Sequence, residues 1–316
     1  MKWFVWLFTL TPIVMWAIFY HSQPRWWLEN IFSYPALFVF YYFVLSIVGM
    51  IWGDKLSVVS CVGLIIWFYT LTPQHSSQTP YCADDSKINV VQFNLFYSNP
   101  DVNAFINEII RNPADLVVLQ EVSPEQGERF YMLDDIYPYR YGGQEGVGYP
   151  SSQLILSRQR LSGFSIFHTP DSQNIISGEW QVTPEQSIHL ITAHPPSPRN
   201  KALWYRRDAL IKTIESIVDQ YPYPETLIVG DFNLSSQSHL FTTIFQEFET
   251  LPLASWPNWN PYFATPAFSM IAIDHAWLKS DTKRWAICAR KTMPSLNGSD
   301  HLMIRTTIGV QKSQPH

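Results

Sequence analysis

Four carboxylates (Glu121, Asp231, Asp274, Asp300), two carboxamides (Asn94, Asn233) and two imidazoles (His194, His301) are the residues of this chain best suited to chemistry. No G-x-S-x-G elbow, no phosphate-binding Gly-Lys-Ser/Thr loop and no Cys-x-x-Cys pair accompanies them. Hard oxygen donors without thiolates suit Mg²⁺ or Mn²⁺ better than zinc. Such a cation, held by one or two carboxylates, commonly partners a phosphate group, neutralising developing charge and positioning an attacking water. A histidine polarised by an aspartate is the usual base for that water. Ser299-Asp300-His301 places such a pair at adjacent positions.

The segments around these residues alternate between strand and helix patterns. Ile88–Phe96 puts Val91, Phe93 and Leu95 on one face and Val90, Gln92 and Asn94 on the other, a period of two. Asp101–Arg111 has Phe105, Ile106, Ile109 and Ile110 at helical spacing, and Ala202–Val218 has Leu203, Leu210, Ile214, Ile217 and Val218 on one side. Leu116–Val122 reads as a buried strand ending in Gln120-Glu121, and His189–Ala193 runs into His194. Thr226–Gly230 opens into Asp231-Phe232-Asn233, while Ala272–Leu278 is a strand interrupted by Asp274-His275. A loop at Gly298–His301 precedes a last strand near Met303–Ile308. Strand after strand ends in an acid, amide or imidazole, as where α/β layers build a site along one sheet edge. His189 and His239 read as ordinary surface residues, and His275 points away from Asp274 on a strand.

In this order, Ile88–Leu95, Leu119-Gln120-Glu121, Leu154–Arg158 (LILSR), Thr192-Ala193-His194, Gly230-Asp231-Phe232-Asn233, Ile273-Asp274-His275 and Ser299-Asp300-His301 resemble successive motifs of the endonuclease/exonuclease/phosphatase, or DNase I-like, superfamily. His194-Pro195-Pro196-Ser197-Pro198, Trp256-Pro257 and three apolar leading segments are similar to a bacterial membrane-bound branch often called YafD-like. The resemblance implies an α/β (α+β) four-layer sandwich of two packed sheets and a Mg²⁺-dependent phosphoesterase, with Mn²⁺ as the alternative ion. It implies Asn94, Glu121 and Asp300 as metal ligands, with Asn94 also contacting substrate. Asp231 would orient the attacking water, and Asn233 would hold the phosphate or metal. His194 would stabilise the pentacovalent phosphate or protonate the leaving group. His301 would be the general base or a phosphate contact, oriented by Asp300, and Asp274 would support the site from the preceding strand. Thr192 replaces the family's usual Asn or Asp, Ser152-Gln153 its usual Gly-Ala, and Glu145 lies in a loop-like stretch where a further acid is common. Apart from the resemblance, Arg206 and Arg207 on a helix after His194 could meet a phosphate with a planar fork, or form a solvated face.

Composition divides the chain. Residues 1–72 carry five charged side chains and the other 244 carry 42. Trp3–Tyr20, Ile31–Gly53 and Leu56–Thr72 have no charge over 18, 23 and 17 residues, near the roughly 17–25 needed to cross a hydrocarbon core of about 30 Å. Three transmembrane helices are predicted in a membrane domain over 1–72, the last two as a hairpin, with Trp26, Trp27, Trp52 and Tyr69 at headgroup level. Positive-inside counting of Lys2, Arg25 and Lys55 places residues 73–316 outside. A Pro/Ser-rich linker over 73–87 then leads to the catalytic domain over 88–310. Two glycosylation sequons, at Asn233 and Asn297, fall within the candidate site, where glycans would block it; a bacterial inner membrane fits better than a eukaryotic lumen.

Three cysteines are too few for a disulfide scaffold. From Tyr81 onward 18 basic residues face 24 acidic ones, which disfavours tight nucleic-acid binding but leaves a weak nuclease open. The expected substrate is a phosphodiester, either nucleic acid or a lipid headgroup, with membrane lipid as the only other partner evident. The alternatives are a phosphatase or phospholipase C-like enzyme on lipid headgroups, and an inactive membrane-bound interaction protein. The last is disfavoured by the complete ligand set.

Overall fold

The computed structural model describes residues 2–21, 25–79, 82–259, 264–282 and 284–311. It begins with four helices: α1 (Lys2–His21), α2 (Trp26–Phe32), α3 (Pro35–Ile51) and α4 (Lys55–Thr70). These share their own core of Leu28, Phe32, Phe38, Tyr42, Cys61 and Phe68. Asp54 caps α4 by accepting from the Ser57 amide, which closes the expected hairpin between α3 and α4. The second charge-free segment is not one straight helix. Pro35 cannot continue α2 and instead starts α3, and the two helices meet at 69°. Among the described residues no single helix is long and apolar enough to cross a membrane; α2 and α3 together meet that test by length and composition.

Two sheets follow. The chain runs β1 (Ser76–Gln78), β2 (Cys82–Asn94), α5 (Val102–Arg111), β3 (Leu116–Gln120), α6 (Pro124–Arg129), β4 (Tyr139–Tyr141), β5 (Leu154–Ser157), β6 (Leu161–His168), β7 (Asn174–Thr183), β8 (Gln186–Ala193), α7 (Lys201–Gln220), β9 (Glu225–Asp231), α8 (His239–Thr243), β10 (Glu249–Thr250), β11 (Asp274–Ser280), β12 (Trp285–Thr292) and β13 (Ile304–Gln311). The first sheet has the order β1-β12-β13-β2-β3-β5-β4 and the second β10-β11-β9-β8-β7-β6. Each contains one parallel pair, β2 with β3 and β8 with β9. The segment over 73–87, expected as a linker, supplies β1 and the start of β2; its residues 80 and 81 lie outside the described residues.

The period-two faces divide the core into three slabs. Val90, Leu116, Val118, Ile188, Leu190, Leu227 and Val229 pack between the sheets. The opposite faces of β2 and β3 pack on Phe105, Ile106 and Ile109 of α5. Those of β8 and β9 pack on Leu210, Ile211 and Ile214 of α7. The result is the four-layer order helix, sheet, sheet, helix. A disulfide joins Cys82 to Cys288 across 206 residues, a pairing the cysteine count did not suggest.

Candidate active site

The inter-sheet face changes character at one end of the sandwich. Along β2 it reads Val90, Gln92, Asn94; along β3 Leu116, Val118, Gln120; along β9 Leu227, Val229, Asp231. Antiparallel β11 arrives from the other direction, so its first residue, Asp274, lies opposite Asp231, while Ala276 lies opposite Val229. Each strand thus ends its apolar run at the same level and presents a polar side chain there.

Turn chemistry aims the rest. Glu121 follows β3 with φ of 54° and Asn233 follows β9 with φ of 48°, left-handed backbone that non-glycine residues seldom adopt. Gly230 permits β8 and β9 to close, since a Cβ there would lie 2.3 Å from the Ala193 carbonyl oxygen. That contact sets His194, next after Ala193, beside Asp231.

The side chains converge. Asn94 Nδ2 donates to Glu121 Oε1 at 3.0 Å and to Asp231 Oδ2 at 2.9 Å. His194 Nε2 stands 3.8 Å from Glu121 Oε1 and 3.6 Å from Asp231 Oδ2. His301 Nε2 is 3.7 Å from the same Asp231 oxygen. The Asn233 amide donates to Asp231 Oδ1 at 2.9 Å, and its side chain donates to the Pro195 carbonyl at 3.1 Å. One carboxylate, Asp231, therefore touches or faces four other members of the set. Glu121 lies toward solvent, its side chain 21% exposed, whereas Asp231 and Asp274 are fully buried.

Asp300 does not orient His301. Asp274 does, accepting from His301 Nδ1 at 2.9 Å, while the Asp300 carboxylate accepts from Trp256 Nε1 at 2.8 Å. Adjacent residues at this loop face different ways, whereas β11 delivers Asp274 from below the ring. Nor does Asp300 belong to the group of ligand-type atoms found within 4.8 Å of one another among the described residues, which is Asp231, Asp274 and His301. Arg206 forms a part-exposed ion pair with Asp171 at 2.7 Å. Arg207 is no solvated face: it is buried and paired with Glu29 and Asp208. His189 is buried too, bonded to Ser177 at 2.7 Å and stacked on Tyr223 at 3.9 Å. His275 turns from the site, bonding the Leu234 carbonyl at 2.7 Å.

Several supporting residues escaped the sequence reading. Gln92 donates to both Gln120 and Asp274 at 2.7 Å. Ser299 donates to the Asn94 carbonyl at 2.8 Å and accepts from the His301 amide. Ser255 accepts from the Asp274 amide. Gln92 had a signal, since it shares its strand face with Asn94, and Ser299 stood in the Ser-Asp-His motif without a role of its own; Ser255 lies in a loop and had none.

Electrostatics separate the two buried aspartates. Burial, then the Asp274 charge, pushes Asp231 up from the ordinary carboxylate range. Burial also opposes ionising Asp274, but the His301 cation and the hydrogen bonds from His301, Ser255 and Gln92 outweigh it and hold the group low. For His301, burial favours the neutral ring and is overcome by Asp274 and Asp231, so the ring is held protonated well above its usual range.

The donors also suit a hard cation. Glu121 is a half-open carboxylate beside an amide, with no thiolate near and, among the described residues, no lysine or arginine ion-paired to it. Asp274 is a poor ligand despite its position, because Gln92 and His301 already occupy its oxygens.

A model of the Endonuclease/Exonuclease/phosphatase family matches residues 91–301, well over half of the chain. The chain belongs to that family, whose members cut phosphoester bonds. Compared with curated protein sequences it has no significant match. Solved structures share its fold. D. rerio TDP2 complexed with a single-strand DNA product superposes with a TM-score of 0.59 at 16% identity, covering 72% of this chain and 100% of that one. A mutant beta toxin from Staphylococcus aureus with bound magnesium ions gives 0.55 at 14% identity, over 70% and 99%. The endonuclease/exonuclease/phosphatase from Beutenbergia cavernae gives 0.53 at 14%, over 71% and 72%.

Proposed function

We propose that this protein is a membrane-anchored, divalent-metal-dependent phosphodiesterase. The observation that carries the reading is the convergence of Asn94, His194, Asn233 and His301 on the buried Asp231, with Glu121 joined to it through Asn94 and His194, from the matching ends of two sheets. Glu121 would hold Mg²⁺ or Mn²⁺, which supplies charge neutralisation at the phosphate, and Asn94 would orient that carboxylate by donating to it. The magnesium-bearing beta toxin of the same fold supports that choice of ion.

The remaining roles follow from position and, for His301 and Asp231, from protonation. His301, kept charged by Asp274, cannot take a proton; it stabilises negative charge on the phosphate. Asp231, a buried carboxylate of raised proton affinity beside the open side of the site, orients the attacking water and accepts its proton. His194, less buried than His301, delivers a proton to the leaving oxygen. Asn233 holds a phosphate oxygen.

The DNA product bound to the TDP2 relative supports a nucleic-acid phosphodiester. The acidic balance of the domain argues for weak rather than processive binding. Large apolar side chains exposed on the helical module, including Trp3, Phe40, Ile51 and Val59, support lipid contact. The Cys82–Cys288 disulfide supports a catalytic domain on the outer face of a bacterial inner membrane, where such bonds persist.

The test is hydrolysis of bis(p-nitrophenyl) phosphate, plasmid DNA and phospholipid by the full chain in detergent. Activity should vanish in EDTA, return with Mg²⁺ or Mn²⁺, and fall at least about 100-fold in Asp231→Ala and His301→Ala. Turnover indifferent to the chelator and to both substitutions would reject the mechanism.

A further inference from the structure

Glu29 of α2 and Arg207 of α7 form an ion pair between parts of the chain 178 residues apart. The side chains are 2% and 1% exposed. Charges so far from water persist only when paired and hydrogen-bonded, and here every polar atom of both side chains has a partner. Glu29 accepts from Arg207 Nη2 at 2.6 Å and from Trp204 Nε1 at 2.9 Å. Arg207 also donates from Nε and Nη2 to Asp208, at 2.8 and 2.6 Å. Its last arm, Nη1, donates to the backbone carbonyl of Asn233 at 3.1 Å.

That carbonyl belongs to a residue with left-handed backbone whose amide and side chain are both committed at the site. A planar guanidinium fixed at one edge has little freedom at the other. Glu29, together with Asp208, therefore sets where Arg207 can hold the Asn233 loop. The elbow between α2 and α3 comes equally close: Asn30, Ser33 and Tyr34 line a cavity of about 250 Å³ together with Asn233 and Trp256. Asn30 also donates to the Pro198 carbonyl, in the loop after His194, at 2.9 Å.

We infer that Glu29 is a positioning residue, which through Arg207 fixes Asn233 for catalysis, so that the helical module is a working part of the active site as well as a tether. The inference rests on the phosphodiesterase reading of that site. Glu29→Gln keeps the side-chain shape and removes the charge that orients Arg207. Trp204→Phe removes the other bond to Glu29 and leaves the Arg207 arm in place.

The full chain in detergent would be assayed on bis(p-nitrophenyl) phosphate, below the lowest melting temperature in the set. E29Q should lower kcat about tenfold with KM within twofold, since small misplacement of a catalytic group is costly. W204F should stay within twofold of wild type. In an Asn233→Ala background, E29Q should cause no further loss, because the group it positions is gone. Should E29Q not fold, R207K carries the same test, since lysine keeps the charge toward Glu29 but lacks the fork that reaches Asn233. An unchanged kcat in E29Q, equal losses in E29Q and W204F, or multiplied losses in the double variant would each overturn the inference alone. An N233A variant as fast as wild type would likewise overturn the inference alone, whereas a wild type inactive on the diester would overturn the function and the inference together.

Discussion

At the scale of single residues, a few short distances decide which group does what. Asp274, not Asp300, meets Nδ1 of His301, and its charge is what keeps that ring protonated. Asp274→Asn should therefore lower the proton affinity of His301. The alkaline limb of kcat/KM should move to lower pH, and the rate should fall about 100-fold, as a pH–rate profile would show. His189 is the opposite case. Burial lowers it from 6.5 to about 4, so the folded protein holds it neutral where the unfolded chain would bind a proton. Its contribution is complete above pH 6.5 and is lost as pH falls toward 4. Urea midpoints measured across that window should drop, and His189→Gln should flatten part of the drop. Residue types alone exposed most of the candidate set, because polar groups interrupting apolar strands are conspicuous. They did not show which aspartate serves which histidine. Asp300 adjoins His301 in sequence and Asp274 lies 27 residues away, yet only the fold decides which one faces the ring.

At the scale of elements, the site exists because β2, β3 and β9 end their apolar runs, and β11 begins its own, at one level. That much was legible, strand by strand, from the period of two in β2 and the acids closing β3 and β9. The sheet partners were not, and β6, β7 and β12 went unread. β6 and β12 both carry register shifts that interrupt their alternation. Gly230 tests the importance of strand closure. Gly230→Ala would force a Cβ to within 2.3 Å of the Ala193 oxygen. The expected cost is about 1–3 kcal/mol of stability, with a loss of kcat larger than the melting curve explains, because His194 and Asp231 sit on the separated strands. The break between α2 and α3 was hidden for a different reason: Pro35 sits inside an uncharged run, and apolar composition does not reveal direction.

At the scale of the whole molecule, the helical module and the sandwich share a buried ion pair. Deleting residues 1–72 would strip Glu29 from Arg207 and expose Trp204. The sandwich would lose both the hydrogen bonds and the apolar cover that the helices supply there. The isolated sandwich should melt well below the full chain, as scanning calorimetry of the two would show. No spacing in the sequence could announce contacts that span 178 residues, and the same holds for the disulfide. Replacing Cys82 and Cys288 by serine should cost about 2–4 kcal/mol, visible as a lower urea midpoint. That bond closes β2 at its first residue, while Asn94 occupies the last. Roughly 40 Å of extended backbone lies between them, so the staple and the scissors occupy opposite ends of one rod. Reducing that bond would therefore not slow individual turnovers. It would shorten the working lifetime of each copy, and the population would dwindle at undiminished speed.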